Sequence, residues 1–237
     1  QSCLTTFKHH TDKVQAVKWH PQSASILASG AYDKTITLID CQAAQSGDNS
    51  AVLTWSTADV VDPLTKVSFT CDVEALAWNP SNEHELYITL ENGYVLCADK
   101  RKPPTSGSGS NSNNGYIHCF QAHDETVSSL AFSKTIPGML TTASTDKTVK
   151  VWDTNGATPR CIAYKTMNIG RLISVDYSHV VTKQPTDTHL DSSDSAHTST
   201  SNMMNLGFLM ACGGDANDGA PAVWYSDELS DLKTHFK

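Results

Sequence analysis

His123-Asp-Glu-Thr-Val127, followed by Leu140-Thr-Thr-Ala-Ser-Thr-Asp146-Lys-Thr-Val-Lys-Val-Trp152-Asp153, is the stretch that decides the fold. An earlier stretch follows the same template: His10-Thr-Asp-Lys-Val14, then Leu27-Ala-Ser-Gly-Ala-Tyr-Asp33-Lys-Thr-Ile-Thr-Leu-Ile-Asp40. His10 to Asp33 and His123 to Asp146 are both 23 positions apart, and a second Asp follows each at the same distance. A pattern written twice in one chain marks a repeat architecture, in which each unit buries its apolar face against the next.

Two fainter copies fall into register. Leu86-Tyr-Ile-Thr-Leu-Glu-Asn92-Gly93-Tyr-Val-Leu-Cys-Ala98-Asp99 aligns with the first copy, and Asp218-Gly219-Ala-Pro-Ala-Val-Trp224 with the third. Tight turns are expected at Asp33-Lys34, Asn92-Gly93, Asp146-Lys147 and Asp218-Gly219, as two-residue hairpins with positive φ. A strand precedes each turn unit (Val14–Trp19, Val73–Trp78, Val127–Phe132, Leu172–Tyr177). A more polar strand follows it (Ala51–Ser56, Tyr116–Gln121, Arg160–Thr166, Leu232–Phe236). The runs are short, rich in Val, Ile and Thr, and broken by turn residues, so a helical reading fails throughout. The chain reads as all-β: four units of four strands, plus an extra strand at 2–8.

The excess length between turns is assigned to insertions at 42–50, 103–114 and 183–202. They are rich in Ser, Thr, Gly and Asn and too poor in apolar residues to offset the entropy of ordering, so they are expected to be flexible. The first residue is Gln1 and the opening reads as a strand under way, so a piece of a longer protein is expected.

The chain has 237 residues, enough for a large core, and a formal charge of −8. That balance argues against a broad nucleic-acid face, which needs Lys and Arg to neutralise phosphates. Lys100-Arg101-Lys102 is the one basic cluster and reads as a solvated loop end. Seven scattered cysteines without a Cys-x-x-Cys pair fit reduced, mostly buried thiols in the cytosol or nucleus. No apolar run has membrane-span length and no signal-peptide pattern opens the chain.

His10, Ser29 and Asp33, like His123, Thr142 and Asp146, invite a catalytic-triad reading. Duplication argues otherwise, because an enzyme rarely repeats its triad on each unit. The better reading is a buried chain in which Asp holds His, His meets Ser or Thr, and Ser or Thr meets the indole of Trp152. The ten histidines show no metal-ligand spacing, and Gly213-Gly214 has no phosphate-cradling pattern. No catalytic, cofactor or metal site is expected.

These residues resemble the WD40 repeat, with Trp152-Asp153 as the namesake dipeptide and Ala122-His123 in the Gly-His position. The resemblance implies a β-propeller. Its blades would lie around 10–56, 69–121, 123–166 and 171–236, four of a larger, seven-bladed ring, and strand 2–8 would belong to a missing preceding blade. It implies one full structural tetrad, His123, Thr142, Asp146 and Trp152, and a partial one, His10, Ser29 and Asp33, with Ile39 in place of Trp. Phe69, Ile88 and Ala98 replace the set in the second blade, and the fourth keeps Trp224 with Gly214 in the Ser/Thr position. Contact residues on the narrow face would include Lys13, Tyr32, Glu125 and Thr145.

A closer resemblance, to the C-terminal half of one nuclear branch of that family, rests on five stretches. They are His10-Thr-Asp-Lys-Val-Gln, Ser29-Gly-Ala-Tyr-Asp-Lys, Asp72-Val-Glu-Ala-Leu-Ala-Trp-Asn, Glu91-Asn-Gly-Tyr-Val and Ala143-Ser-Thr-Asp-Lys-Thr-Val-Lys-Val-Trp-Asp. It implies a non-enzymatic scaffold of the nucleus and nucleolus that supports ribosome biogenesis: ribosomal RNA transcription and processing, and large-subunit assembly. The implied partners are ribosome-assembly factors, chromatin and the missing N-terminal blades, with no membrane. The alternative is a substrate receptor of a ubiquitin ligase: Asp99-Lys-Arg101 resembles the Asp-x-Arg ending of such receptors, although Ala98 replaces their Trp. Ser192, Ser193 and Ser195, in an acidic Ser-rich run, are candidates for phosphorylation by an acid-directed kinase.

Overall fold

Short runs of β-branched and aromatic residues between turn-forming pairs leave the backbone little choice but ladders of antiparallel strands. A computed structural model shows this arrangement. It describes residues 5–46, 52–58, 60–62, 64–66, 68–102, 115–178, 182–183, 206–207, 209–216, 220–225 and 235. The first blade contains β1 (Val14–Trp19), β2 (Ile26–Ala31), β3 (Thr35–Asp40) and β4 (Val52–Ser56), paired in that order. A small hairpin follows, β5 (Val60–Val61) with β6 (Ser68–Phe69). The second blade is β7 (Val73–Trp78), β8 (Glu85–Leu90), β9 (Tyr94–Asp99) and β10 (Tyr116–Gln121). The third is β11 (Val127–Phe132), β12 (Met139–Ser144), β13 (Thr148–Asp153) and β14 (Arg160–Thr166).

In the fourth, β15 (Leu172–Tyr177) pairs with β18 (Leu209–Gly214), which pairs with β19 (Ala222–Tyr225). Between them β16 (Thr182–Lys183) pairs with β17 (Leu206–Gly207) at the stem of the third insertion. The strand expected at 232–236 lies outside the described residues apart from His235. So do residues 1–4 of the strand expected at 2–8, and residues 5–8 form no strand. Residues 47–50, 103–114 and 184–202 of the insertions also lie outside the described residues.

The innermost strands β1, β7, β11 and β15 neighbour one another in sequence, so the blades stack side by side. Three apolar clusters fill the seams. One joins Ala28, Ile36 and Leu38 of the first blade to Leu76, Trp78 and Ile88 of the second. The next joins Tyr87 and Cys97 to Leu130, Phe132 and Trp152. The last joins Met139 and Val151 to Val175, Tyr177 and Trp224. Gly30 serves the first seam by close approach, since a Cβ there would lie 2.5 Å from a Val73 methyl.

Two expectations are corrected. Among the described residues a helix is present, α1 (Cys41–Gln45), which opens the first insertion because the Asp40 carboxylate accepts from the amides of Gln42 and Ala43 and caps it. The hairpin turns are also not two-residue loops. Within each of these turns a single residue takes positive φ, Lys34, Gly93 or Lys147 (67°, 88° and 70°), and it donates its amide to the carbonyl three residues back. These are type I turns closed by a left-handed third residue. The Asx side chain dictates this form by accepting the amide two residues on: Thr35 at 3.0 Å, Tyr94 at 3.4 Å and Thr148 at 2.8 Å. The turn expected at Asp218-Gly219 lies outside the described residues.

Candidate functional site: the blade networks and the turn face

In the third blade, β11 and β13 flank β12, and the loop before β11 carries His123 back over the β12–β13 turn. Trp152 donates its indole N–H to Thr142 Oγ1 at 3.0 Å. Thr142 Oγ1 lies 2.8 Å from His123 Nε2, and His123 Nδ1 lies 2.8 Å from Asp146 Oδ2. Thr148 donates its hydroxyl to Asp146 Oδ1 at 2.6 Å. A single proton order satisfies every member: indole to hydroxyl, hydroxyl to Nε2, and Nδ1–H to carboxylate. That order needs a neutral imidazole. Burial does lower the His123 pKa, outweighing the nearby Asp146. Burial pushes the Asp146 carboxyl up, but hydrogen bonds from Thr148 and the contact with His123 leave it below its ordinary value.

The first blade repeats the arrangement without its last member. His10 Nδ1 lies 3.0 Å from Asp33 Oδ2, His10 Nε2 lies 2.8 Å from Ser29 Oγ, and Thr11 donates its amide to Asp33 at 2.9 Å. Ile39 fills the indole position, opposite Leu27 as Trp152 is opposite Leu140. In the second blade Phe69 and Tyr94 pack with their rings tilted at 40° and centroids 4.5 Å apart, and the Tyr94 hydroxyl donates to Asp62 in the β5–β6 turn.

The fourth blade departs from the expected register. Tyr177 pairs with Met210, and Met210 with Trp224, so Cys212 occupies the place of Thr142 and Gly214 does not. The loop after β18 is longer than its counterparts, which shifted the count made from the turn. A thiol is a poor acceptor, and the buried Trp224 indole N–H has no hydrogen-bond partner among the described residues.

The second Asp of the template has its own task. Asp40, Asp99 and Asp153 each end a third strand and accept the amide two residues on, at 3.1, 2.9 and 3.0 Å. Arg101 adds two bonds to Asp99, Nε at 3.0 Å and Nη2 at 2.8 Å, and this pairing holds the carboxyl below its ordinary value. Lys100 sits 3.9 Å from a Glu83 carboxylate oxygen.

The four contact residues expected on the narrow face fall into two pairs. Lys13 lays its ammonium over the Tyr32 ring at 4.5 Å. Thr145 donates to Glu125 Oε2 at 3.0 Å. Sequence reasoning missed Glu74, which receives the Tyr32 hydroxyl at 3.4 Å and the Gln15 amide at 3.3 Å. Burial raises the Glu74 pKa, Glu91 adds to the rise, and these contacts and Lys13 oppose it.

Gln15 and Glu74 share a signal, since each follows the first residue of an inner strand. A β-bulge interrupts the ladder there in all four blades: between Val14 and Ala16, Val73 and Ala75, Val127 and Ser129, and Leu172 and Ser174. The bulge re-aims that side chain. Ser128 uses the position to donate to the Leu172 carbonyl across the seam at 2.6 Å.

Among the described residues no group of three or more His, Cys, Asp or Glu could hold a metal, and no helix is long and apolar enough to cross a membrane. Ser192, Ser193 and Ser195 lie outside the described residues.

A family profile described as "WD domain, G-beta repeat" matches residues 1–40 and 114–153, where the two clear copies of the template lie. The chain is 29% identical over 168 residues to the periodic tryptophan protein 1 homolog of Drosophila melanogaster, covering 71% of this chain and 32% of the relative. It is 25% identical over 177 residues to periodic tryptophan protein 1 of Saccharomyces cerevisiae, covering 72% of this chain and 27% of the relative. It is 29% identical over 150 residues to the DNA damage-binding protein CMR1 of Coccidioides immitis, covering 63% and 26%. The chain thus spans about a third or less of the length of these relatives. It carries WD40 repeats and is similar to the periodic tryptophan protein 1 homologs.

Proposed function

We propose that the chain is part of a non-enzymatic WD40 scaffold of the nucleus and nucleolus that supports ribosome biogenesis through protein contacts and contact with chromatin. The similarity to the periodic tryptophan protein 1 homologs supports the ribosomal assignment, and the similarity to a DNA damage-binding protein supports chromatin proximity. One observation carries the scaffold reading. The His–Asp pairs of the first and third blades are spent on holding loop to strand, with both imidazole nitrogens engaged inside the blade. What remains at the turns is a contact surface of Lys13, Tyr32 and Glu74 with Glu125 and Thr145.

The test is affinity purification of the full-length protein with and without nuclease. Recovery of ribosome-assembly factors in both conditions is expected, with loss in Tyr32→Ala. Absence of such factors would sink the reading. Recovery only before nuclease would assign the contact to RNA. In the same preparations, mass spectrometry of residues 184–202 would read phosphate on Ser192, Ser193 or Ser195; unmodified peptides alone would remove that assignment.

The substrate-receptor reading keeps one supporting observation. Arg101, anchored on buried Asp99, leaves much of its side chain exposed. Co-purification of a ligase adaptor, lost in Arg101→Ala, would favour it.

A further inference from the structure

Successive blades need little chain to join them: 122–126 links the second to the third, and 167–171 links the third to the fourth. The link from the first to the second runs over 57–72 and carries the β5–β6 hairpin, with a four-stranded blade on either side of it. Its roots are fixed between two strand turns. Thr57 donates its amide to the Lys34 carbonyl at 2.8 Å and its hydroxyl to the Cys71 carbonyl at 2.5 Å, and Glu91 donates its amide to the Asp72 carbonyl at 3.2 Å. Val60 and Phe69 join the apolar cluster of the seam. The hairpin therefore stands on the turn face.

Its tip is held in one shape from inside. Asp62 is only 5% exposed, and its carboxylate accepts the amides of Leu64 at 2.7 Å and Thr65 at 3.2 Å together with the Tyr94 hydroxyl. Lys66 donates its amide to the Asp62 carbonyl at 2.9 Å and takes a φ of 61°, a left-handed conformation that is costly for a residue with a Cβ. What this turn holds out is Leu64, 89% exposed, with Val61 beside it at 42%. A lone leucine on a loose loop is ordinary surface. Here a buried carboxylate and a strained residue fix the loop in the free chain, so a partner meets a preformed anchor and the cost of ordering it is small. The charges around the anchor are one-sided: Asp62 is buried, whereas Lys66 and Lys34 at the root are exposed.

We propose that the β5–β6 hairpin is a docking element whose Leu64 enters an apolar pocket edged by carboxylates on a protein partner. Val61 meets the pocket wall, and Lys66 and Lys34 face the carboxylates. A lipid surface fits the hairpin less well, because one leucine is a marginal anchor and a chain of charge −8 is repelled by anionic headgroups. Burial of a leucine is worth roughly 10–100-fold in affinity. The inference rests on the scaffold reading only in taking the partner to be a protein, and it adds an apolar contact to the Lys13, Tyr32 and Glu74 surface.

The test uses the full-length protein in cells, with Leu64 replaced by a photo-crosslinking benzoylphenylalanine and, as a control, the same replacement of the exposed Tyr164. The expected adduct from position 64, absent from position 164, joins a different protein at a peptide carrying apolar and acidic residues. Recovery of that protein is expected to fall at least tenfold in Leu64→Asp and to persist in Leu64→Met, with the melting temperature unchanged in both. Adducts confined to the same chain, or equal adducts from both positions, overturn the proposal. So does wild-type recovery in Leu64→Asp. Sedimentation with phosphatidylcholine–phosphatidylserine vesicles that is lost in Leu64→Asp would overturn it in favour of a membrane. Ribosome-assembly factors recovered equally with wild type and Leu64→Asp, without a position-64 adduct, would defeat the hairpin inference and leave the scaffold reading standing.

Discussion

Cys212 puts a thiol in the fourth blade where the third has the Thr142 hydroxyl, and Asn168 stands where the third has His123. In the third blade a hydroxyl both receives the Trp152 indole and reaches His123, whereas the Trp224 indole is unpaired among the described residues. Cys212→Thr should therefore raise stability by about 1 kcal/mol, the worth of a typical buried hydrogen bond, read as a shifted urea midpoint at unchanged slope. A lower midpoint would show that the extra methyl of Thr strains the seam more than the new bond contributes.

The same scale sets a pH response. Burial holds His123, and likewise His118, below the ordinary imidazole value of 6.5. The unfolded chain thus takes up protons near pH 6.5 that the folded chain refuses. Their contribution to stability is complete above pH 6.5 and is lost as pH falls toward the depressed values. The carboxyls of Asp33 and Asp146 lie below 3.8, so their contribution persists until more acidic pH and is lost as pH falls through the depressed values. The melting temperature is expected to fall between pH 7 and pH 5, less steeply in His123→Asn. A melting temperature that rises over that range would contradict neutral, buried imidazoles.

At the scale of elements, the strands were readable because alternation and turn residues agree: the inner strands at 14–19, 73–78, 127–132 and 172–177 appear with the expected bounds. The turn type was misread because Asp-Lys and Asn-Gly also suit a two-residue loop. What decides between the two is whether the Asx side chain captures the amide two residues on, and that depends on its position in the ladder. Lys34 and Lys147 therefore occupy a left-handed conformation that costs a residue with a Cβ roughly 1 kcal/mol or more. Lys147→Gly is expected to stabilise the chain by up to about 1 kcal/mol in denaturant titration; a destabilised variant would mean that lost backbone entropy dominates. The β5–β6 hairpin and α1 were not legible. Both lie in polar connections, where single side chains, Asp62 and Asp40, organise the backbone without a periodic signal.

For the whole molecule, the template stated how blades are held but not what they hold. Lys13 and Tyr32 could be named from their turn positions, whereas Glu74 came into view only with the bulge that turns it toward Tyr32. Under the proposed function the conspicuous residues divide into those that hold a blade and those offered to a partner. Tyr32→Ala should therefore lose partner recovery while keeping its melting temperature.

The claim that the repeated His–Asp pairs are structural is tested most directly by the unfolding free energy of His123→Ala. Removing the imidazole takes one partner from the partly buried Asp146 carboxylate and leaves the buried Thr142 hydroxyl without its acceptor, so a loss of roughly 2–4 kcal/mol is predicted. Wild-type stability in that variant would contradict the account and return His123 and Asp146 to the candidates for chemistry.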